Sequence, residues 1–441
     1  DAGLWRPEKE DGPGFPMQAF REEGKPLQSP GPLLRVPAGT AMRITVKNLL
    51  PGAPLELHGL GEGSTPAAEV APLPQGAERE FRWKAGQPGT YLYWANQDKP
   101  EFDFPHGRDC LLAGALIVDP AGSAPDAKER IFVLSEFVDL APDSTPQNLL
   151  FLRTVFGLNG FTWPYTERLK FDLGERVRWR ILNASSGSHP MHLHGFYFDV
   201  LARSDGQRSI SYPAGAREKA VTELLRPAHT VDIEWTPEEV GRWLFHCHVA
   251  AHFSPGSRAR PPGSGPQAEN AHMRHALEDM SGLVLGLEVQ PGANPRPKAA
   301  KGPAREIALH IREHPKFFGN LSAYSLTPVD NAQAAPSAEF SVPAPPLVLT
   351  RGQRTRIKVF NHLKQATAIH WHGIELESIS DGVVGWGGHA TSITPSIEPG
   401  GFFVAELTPP RAGTFIYHSH FDDVTQLRRG MFGALIVLEP G

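Results

Sequence analysis

The chain has only 2 Cys and 6 Met in its 441 residues, and only 21% of them are charged. So few cysteines exclude a disulfide-stapled framework. A Met-rich segment is absent as well. Net charge is −5 with no basic run, which argues against nucleic acid as a partner. No apolar stretch approaches the roughly 20 residues that cross a bilayer, so no membrane span is expected. The first residues, Asp1-Ala2-Gly3-Leu4, show neither an initiator Met nor a signal peptide and read as a processed start. Glycine and proline are what is plentiful, at 44 and 43. Short strands with frequent turns are expected from them, not long helices. The length suggests about three domains.

A threefold internal repeat fits that division. Each copy has a Gly-led strand with period-2 character: Gly39 to Val46, Gly174 to Ile181 and Gly352 to Val359. An Asn follows each strand, at Asn48, Asn183 and Asn361. Next comes a His-Gly element, at Leu57-His58-Gly59, Leu193-His194-Gly195 and Trp371-His372-Gly373. A second Gly-opened strand begins at Gly89, Gly241 and Gly413. The copies close on Gly114 to Val118, Leu283 to Val289 and Gly433 to Val437. Three all-β units are expected, each a small Greek-key sandwich. Linkers near residues 120–128 and 291–304 put the domains at 1–124, 125–296 and 297–441. The Pro/Gly/Arg-rich stretch Ser254 to Asn270 reads as a surface insertion in the second unit.

The chemistry centres on His246-Cys247-His248-Val249-Ala250-Ala251-His252, which follows the apolar run Arg242-Trp243-Leu244-Phe245. In a strand, His246 and His248 point one way and Cys247 the other. A thiolate with nearby imidazoles suits copper, so one strand can serve two metal centres. The second and third units hold four His-x-His pairs: 192/194, 246/248, 370/372 and 418/420. Chance placement of 19 His would give about one such pair. Eight purely structural imidazoles would all need buried partners. Zinc sites favour four-ligand closure, so a copper cluster fits better. The first unit has Glu56-Leu57-His58 and Trp94-Ala95-Asn96 at the matching places, and reads as a structural copy with a satisfied His58. Cys110 reads as a small buried hydrophobe, not as a disulfide partner of Cys247.

Over essentially its whole length the sequence resembles the multicopper oxidases of the laccase-like, three-cupredoxin-domain type. The motifs that carry the resemblance are H-P-x-H-L-H-G from His189, H-C-H-x-x-x-H from His246, H-W-H-G from His370 and H-S-H from His418. Their order is permuted, with the cysteine domain second and the H-W-H-G domain last. The resemblance implies a type 1 copper on His189, Cys247 and His252, and a type 2 copper on His192 and His370. It also implies a binuclear type 3 pair on His194, His246, His248, His372, His418 and His420, making about four copper ions per chain. Cys247 is then the electron link between the centres.

The axial ligand is where the sequence departs from the family. Ser257 stands five residues after His252, where the family has Met, Leu or Phe, while Met280 stands five after His275. Either His252 is the ligand, with axial Met280 across the insertion, or His275 and Met280 supply both. Asp381, in Asp381-Gly382, matches a family acid near the trinuclear copper and is expected to relay protons. Phe253 occupies the place where some bacterial members carry a Glu. His229, His272, His310, His314, His362 and His389 receive no role. The function implied is dioxygen reduction to water, driven by a phenolic, dye or metal-ion reductant. A copper nitrite reductase and an electron-transfer protein without turnover are the alternatives. Periplasmic or secreted location is an inference from the family, and oligomeric state stays open.

Overall fold

A computed structural model describes residues 1–61, 71–97, 111–140, 151–206, 208–260, 275–292, 303–330 and 340–441. Cys110, His272 and most of the 254–270 insertion lie outside them. The architecture is almost all β. A hairpin of Ala2–Trp5 and Phe15–Gln18 leads into three sandwiches that share one strand order. In the first sandwich the recurring sheet runs Gly31–Pro37, Ala113–Asp119, Gly89–Asn96, Glu56–His58. In the second it runs Arg168–Asp172, Val284–Gln290, Gly241–Cys247, His189–Leu193, with Thr222–Leu225 beyond. In the third it runs Ala344–Thr350, Phe432–Leu438, Gly413–Ser419, Ile369–His372. The first two strands of each sheet are parallel and the rest antiparallel, a crossover pattern of cupredoxin-like Greek keys.

The repeat's leading glycines precede their strands and do not form part of them. The strands begin at Ala41, Val177 and Thr355, because Gly39, Gly174 and Gly352 hold the left-handed conformation that turns the chain (φ +87°, +81° and +74°). The repeated Asn has a common task. Asn48, Asn183 and Asn361 each donate from Nδ2 to backbone carbonyls and accept at Oδ1 from the amide two residues on. A short buried amide thus closes the same Asx turn three times.

Alternation along Gly241–Cys247 places side chains in two different cores. Trp243, Phe245 and Cys247 enter the second sandwich's core with Trp179, Ile181 and Leu285. Leu244 faces a separate cluster with Phe253, Met280, Val284 and Val383. The second and third units are clasped across that face. Arg242 donates to the carbonyls of Trp386 and Ser392, Trp386 Nε1 donates to Trp243 O (2.8 Å), and Ser378 Oγ donates to Arg242 O. Buried Arg180 and Asp232 of the second unit, paired at 2.8 Å, are both bonded to Thr90 of the first: Arg180 donates to Thr90 Oγ1 (2.7 Å), which donates to Asp232 (2.6 Å).

Candidate metal centres

The first donor set forms on the core face of the central strand. Cys247 Sγ lies 3.6 Å from His189 Nδ1 and 3.5 Å from His252 Nδ1, and the two imidazole nitrogens are 3.0 Å apart. A thiolate with two imidazoles in a trigonal arrangement suits copper. His189 is fixed by its other nitrogen, which donates to Ser185 Oγ (2.6 Å). Phe156 packs on the partly exposed His252 ring at 4.2 Å. Above both rings sits Gly187, where a Cβ would stand 3.7 Å from His189 Nε2 and 3.8 Å from His252 Cε1.

The second set gathers eight imidazoles between the second and third units. The pairing His192↔His246 in one sheet and His370↔His418 in the other brings matching positions face to face. His192 and His370 meet at 3.4 Å between Nε2 atoms. Their Nδ1–H groups donate outward, to Val221 O and Asp381 O, both at 2.8 Å, so both Nε2 lone pairs point inward. His194 and His246 meet Nε2 to Nε2 at 2.9 Å, with Nδ1–H bonded to Asp381 Oδ2 (2.8 Å) and Cys247 O (2.8 Å). His420 completes a set of three with them. The remaining rings, His248, His372 and His418, lie with centroids 4.8 to 5.9 Å apart.

Several of these nitrogens have no protein partner. His248 Nε2, His418 Nε2 and both nitrogens of His420 are buried without a hydrogen bond. Unpartnered buried acceptors are costly, and inward lone pairs without protons are what a soft divalent or monovalent metal binds. The donor set therefore fits copper. Burial, then the neighbouring imidazoles, holds His192, His194, His246, His418 and His420 well below the ordinary histidine range. His189 is lowered to about 3 by burial and His252, and His372 to about 2 by burial and His248. Burial lowers His248 and His252 to about 4 each. Burial pushes the Cys247 thiol up to about 12. The metal-free protein therefore presents neutral ligands and a protonated thiol.

Asp381, fully buried, serves two imidazoles, through its carboxylate to His194 and its carbonyl to His370. Gly382 makes this possible. Its φ is +88°, and a Cβ there would stand 2.1 Å from Ile369 O.

The structure divides the two readings of the axial position. His252 stays with Cys247, whereas His275 is remote from that set and stacks on Phe421, next to His420, at 4.5 Å. Met280 packs with Leu244 and Phe253, in a different cluster from Cys247. Leu283 and Met191, the latter paired with Cys247 across the sheet, are buried residues that share Cys247's core. Cys247 N donates to Leu283 O (3.0 Å), and Leu283 N donates to His252 O (3.1 Å). These bonds close the insertion at its neck and set the Leu283 backbone against those of Cys247 and His252. Gly282 before it lets the chain pass His252 O, which a Cβ would meet at 2.0 Å. The Gly282-Leu283 pair was the available sequence signal.

In the first unit His58 lies opposite Trp94, the cross-strand place of His192 and His370. It stacks on Trp94 at 3.5 Å and bonds Asn96 Oδ1 at 3.1 Å. His310 and His362 bond each other (2.9 Å), His314 bonds Ser325 and His229 bonds Pro227 O.

Fold and donor sets together define an all-β metalloprotein of cupredoxin-like domains. Two family models, each described as multicopper oxidase, match residues 139–260 and 322–441. The chain belongs to the multicopper oxidases, a family of copper oxidoreductases. It is 27% identical over 256 residues to a probable nitrite reductase-hydroxylamine oxidoreductase fusion protein of Kuenenia stuttgartiensis, covering 52% of this chain and 26% of that protein. It is 31% identical over 130 residues to copper resistance protein A of Pseudomonas syringae pv. tomato, covering 30% of this chain and 20% of that one. The matched part thus spans about a quarter or less of those relatives' length. Among solved structures, the blue copper oxidase of Nitrosomonas europaea is similar at 21% identity and a TM-score of 0.48, over 65% of this chain and 82% of that one.

Proposed function

We propose that the protein is a laccase-like multicopper oxidase with about four copper ions per chain. His189, Cys247 and His252 would hold the type 1 ion, with Leu283 as the residue proposed for its axial place. His192 and His370 would hold the type 2 ion. The type 3 pair would be held by His194, His246 and His420 for one ion and by His248, His372 and His418 for the other. Copper bound there would supply one-electron oxidation of a phenolic, dye or metal-ion reductant and four-electron reduction of dioxygen to water. One observation supports this most: eight imidazoles from two units, six of them buried, converge beside a Cys–His–His set, with unpartnered buried nitrogens on His248, His418 and His420.

The chain's own residues do the rest. Cys247 is flanked by His246 and His248, which gives two covalent routes between the donor sets, each across one peptide unit. Asp381 fixes the tautomers of His194 and His370 and stands where a proton can be passed inward. We also propose domain limits at 1–124, 125–296 and 297–441, and a periplasmic or secreted location. No helix among the described residues is long and apolar enough to cross a membrane.

A nitrite reductase reading is favoured by the likeness to the Kuenenia fusion protein. Copper content and acceptor separate the two. About four copper ions per chain with dioxygen uptake support the oxidase, and fewer copper ions with nitrite turnover and no dioxygen uptake refute it. His418→Ala is expected to keep the blue colour and stop dioxygen consumption; unchanged uptake would remove His418 from the cluster.

A further inference from the structure

The insertion after His252 returns to the sheet at a pinched neck. Ser281 N donates to Phe253 O (2.8 Å) and Leu283 N to His252 O (3.1 Å). Its two legs then pack on the imidazole side of the central strand, opposite the Cys247 core. Phe253, only 5% exposed, sets its ring edge-on to His246 at 4.8 Å. Met280 and Ala276, 2% and 1% exposed, join Phe253, Leu244, Trp163 and Val383 in one apolar cluster. Leu244 lies two residues before His246 on the same strand face, and its carbonyl accepts from His194 N (2.9 Å). Val383 lies two residues beyond Asp381. Trp163 Nε1 anchors the returning leg by donating to Ala276 O (2.6 Å), and Arg258 ties the outgoing leg to Met280 O (2.9 Å).

From this we infer that the two described legs of the insertion seal the eight-imidazole site with an apolar gasket that a small apolar gas crosses and a hydrated anion does not. Met280 is its movable member. A flexible, unbranched thioether yields room without a fixed void, whereas an anion would shed its water in a wall that offers no donor. An apolar gas pays no such cost, and fully apolar internal space binds xenon readily. The inference rests on the oxidase reading in taking dioxygen as the gas and copper at the imidazoles as the target of azide; the xenon test rests on neither.

Two variants test it. Met280→Ala empties the gasket, and Phe253→Leu keeps an apolar side chain while withdrawing the ring from His246. In xenon-pressurised crystals of the copper-free full chain, a xenon atom is expected in this cluster in Met280→Ala. In the copper-loaded protein, azide association at the imidazole site is expected to accelerate several-fold in both variants. Leu309→Ala, a cavity of similar size in the third unit's core, is expected to leave that rate unchanged. No xenon in the cluster, azide association at the original rate in both variants, or equal acceleration by Leu309→Ala overturns the gasket. Xenon binding needs neither copper nor turnover. A chain that passes these tests yet consumes no dioxygen would overturn the oxidase reading and leave the gasket standing.

Discussion

Lowering the pH from 7.5 to 5.5 should destabilise the copper-free protein far more than the copper-loaded one. His189, His248 and His372 have folded-state values of about 3, 4 and 2, against about 6.5 in an unfolded chain. Because the folded values lie below the unfolded one, the unfolded state binds more protons throughout that interval. Stability is therefore intact above pH 6.5 and is lost as the pH falls toward the folded values. At pH 5.5 each of the three costs about 1.4 kcal/mol relative to pH 7.5, or about 4 kcal/mol together. The fully buried His192, His194, His246, His418 and His420 are shifted the same way and add to the loss. Against a total stability of roughly 5–15 kcal/mol, this is a large fraction. Urea midpoints of copper-free and copper-loaded chain at the two pH values measure the difference. Bound copper occupies the nitrogens that would take up protons, so its midpoint should fall much less. Equal midpoints for the copper-free chain at pH 7.5 and 5.5 would refute the neutral, desolvated cluster.

Three substitutions probe the other links. Cys247→Ser is expected to abolish both the blue absorption and oxidase turnover; retention of both would sink the type 1 assignment. Leu283→Met introduces a weak axial thioether and should lower the reduction potential of the blue site, seen by redox titration. An unchanged potential would remove Leu283 from the axial place. Asp381→Asn keeps an acceptor for His194 but removes the charge, and should cost about 10–100-fold in turnover or cluster copper while the blue colour stays. Wild-type turnover and copper content would leave Asp381 a structural turn residue.

Much of this site is legible because metal ligands on strands obey short periodicities. His-x-His spacing, the Cys between two His, and the threefold order of Gly, Asn and His-Gly elements are local facts that strand geometry translates directly. Even the division of Cys247 from His246 and His248 follows from alternation alone. The division of the six remaining imidazoles into two sets of three does not, because ligands from two units meet only when those units are clasped through Arg242 and Trp386.

The axial place shows the same boundary most sharply. Counting five residues along the chain leads to Ser257 from His252 and to Met280 from His275, and Met280 packs in a different cluster from Cys247. Backbone bonds from Leu283 to His252 and Cys247 bring together residues that stand far apart along the chain. The sequence by itself determined the ligand types, their pairing and the β architecture, since each depends on spacings of a few residues. Tertiary structure alone decided which residue follows His252 in space, because closing a loop by hydrogen bonds is indifferent to how much chain the loop contains.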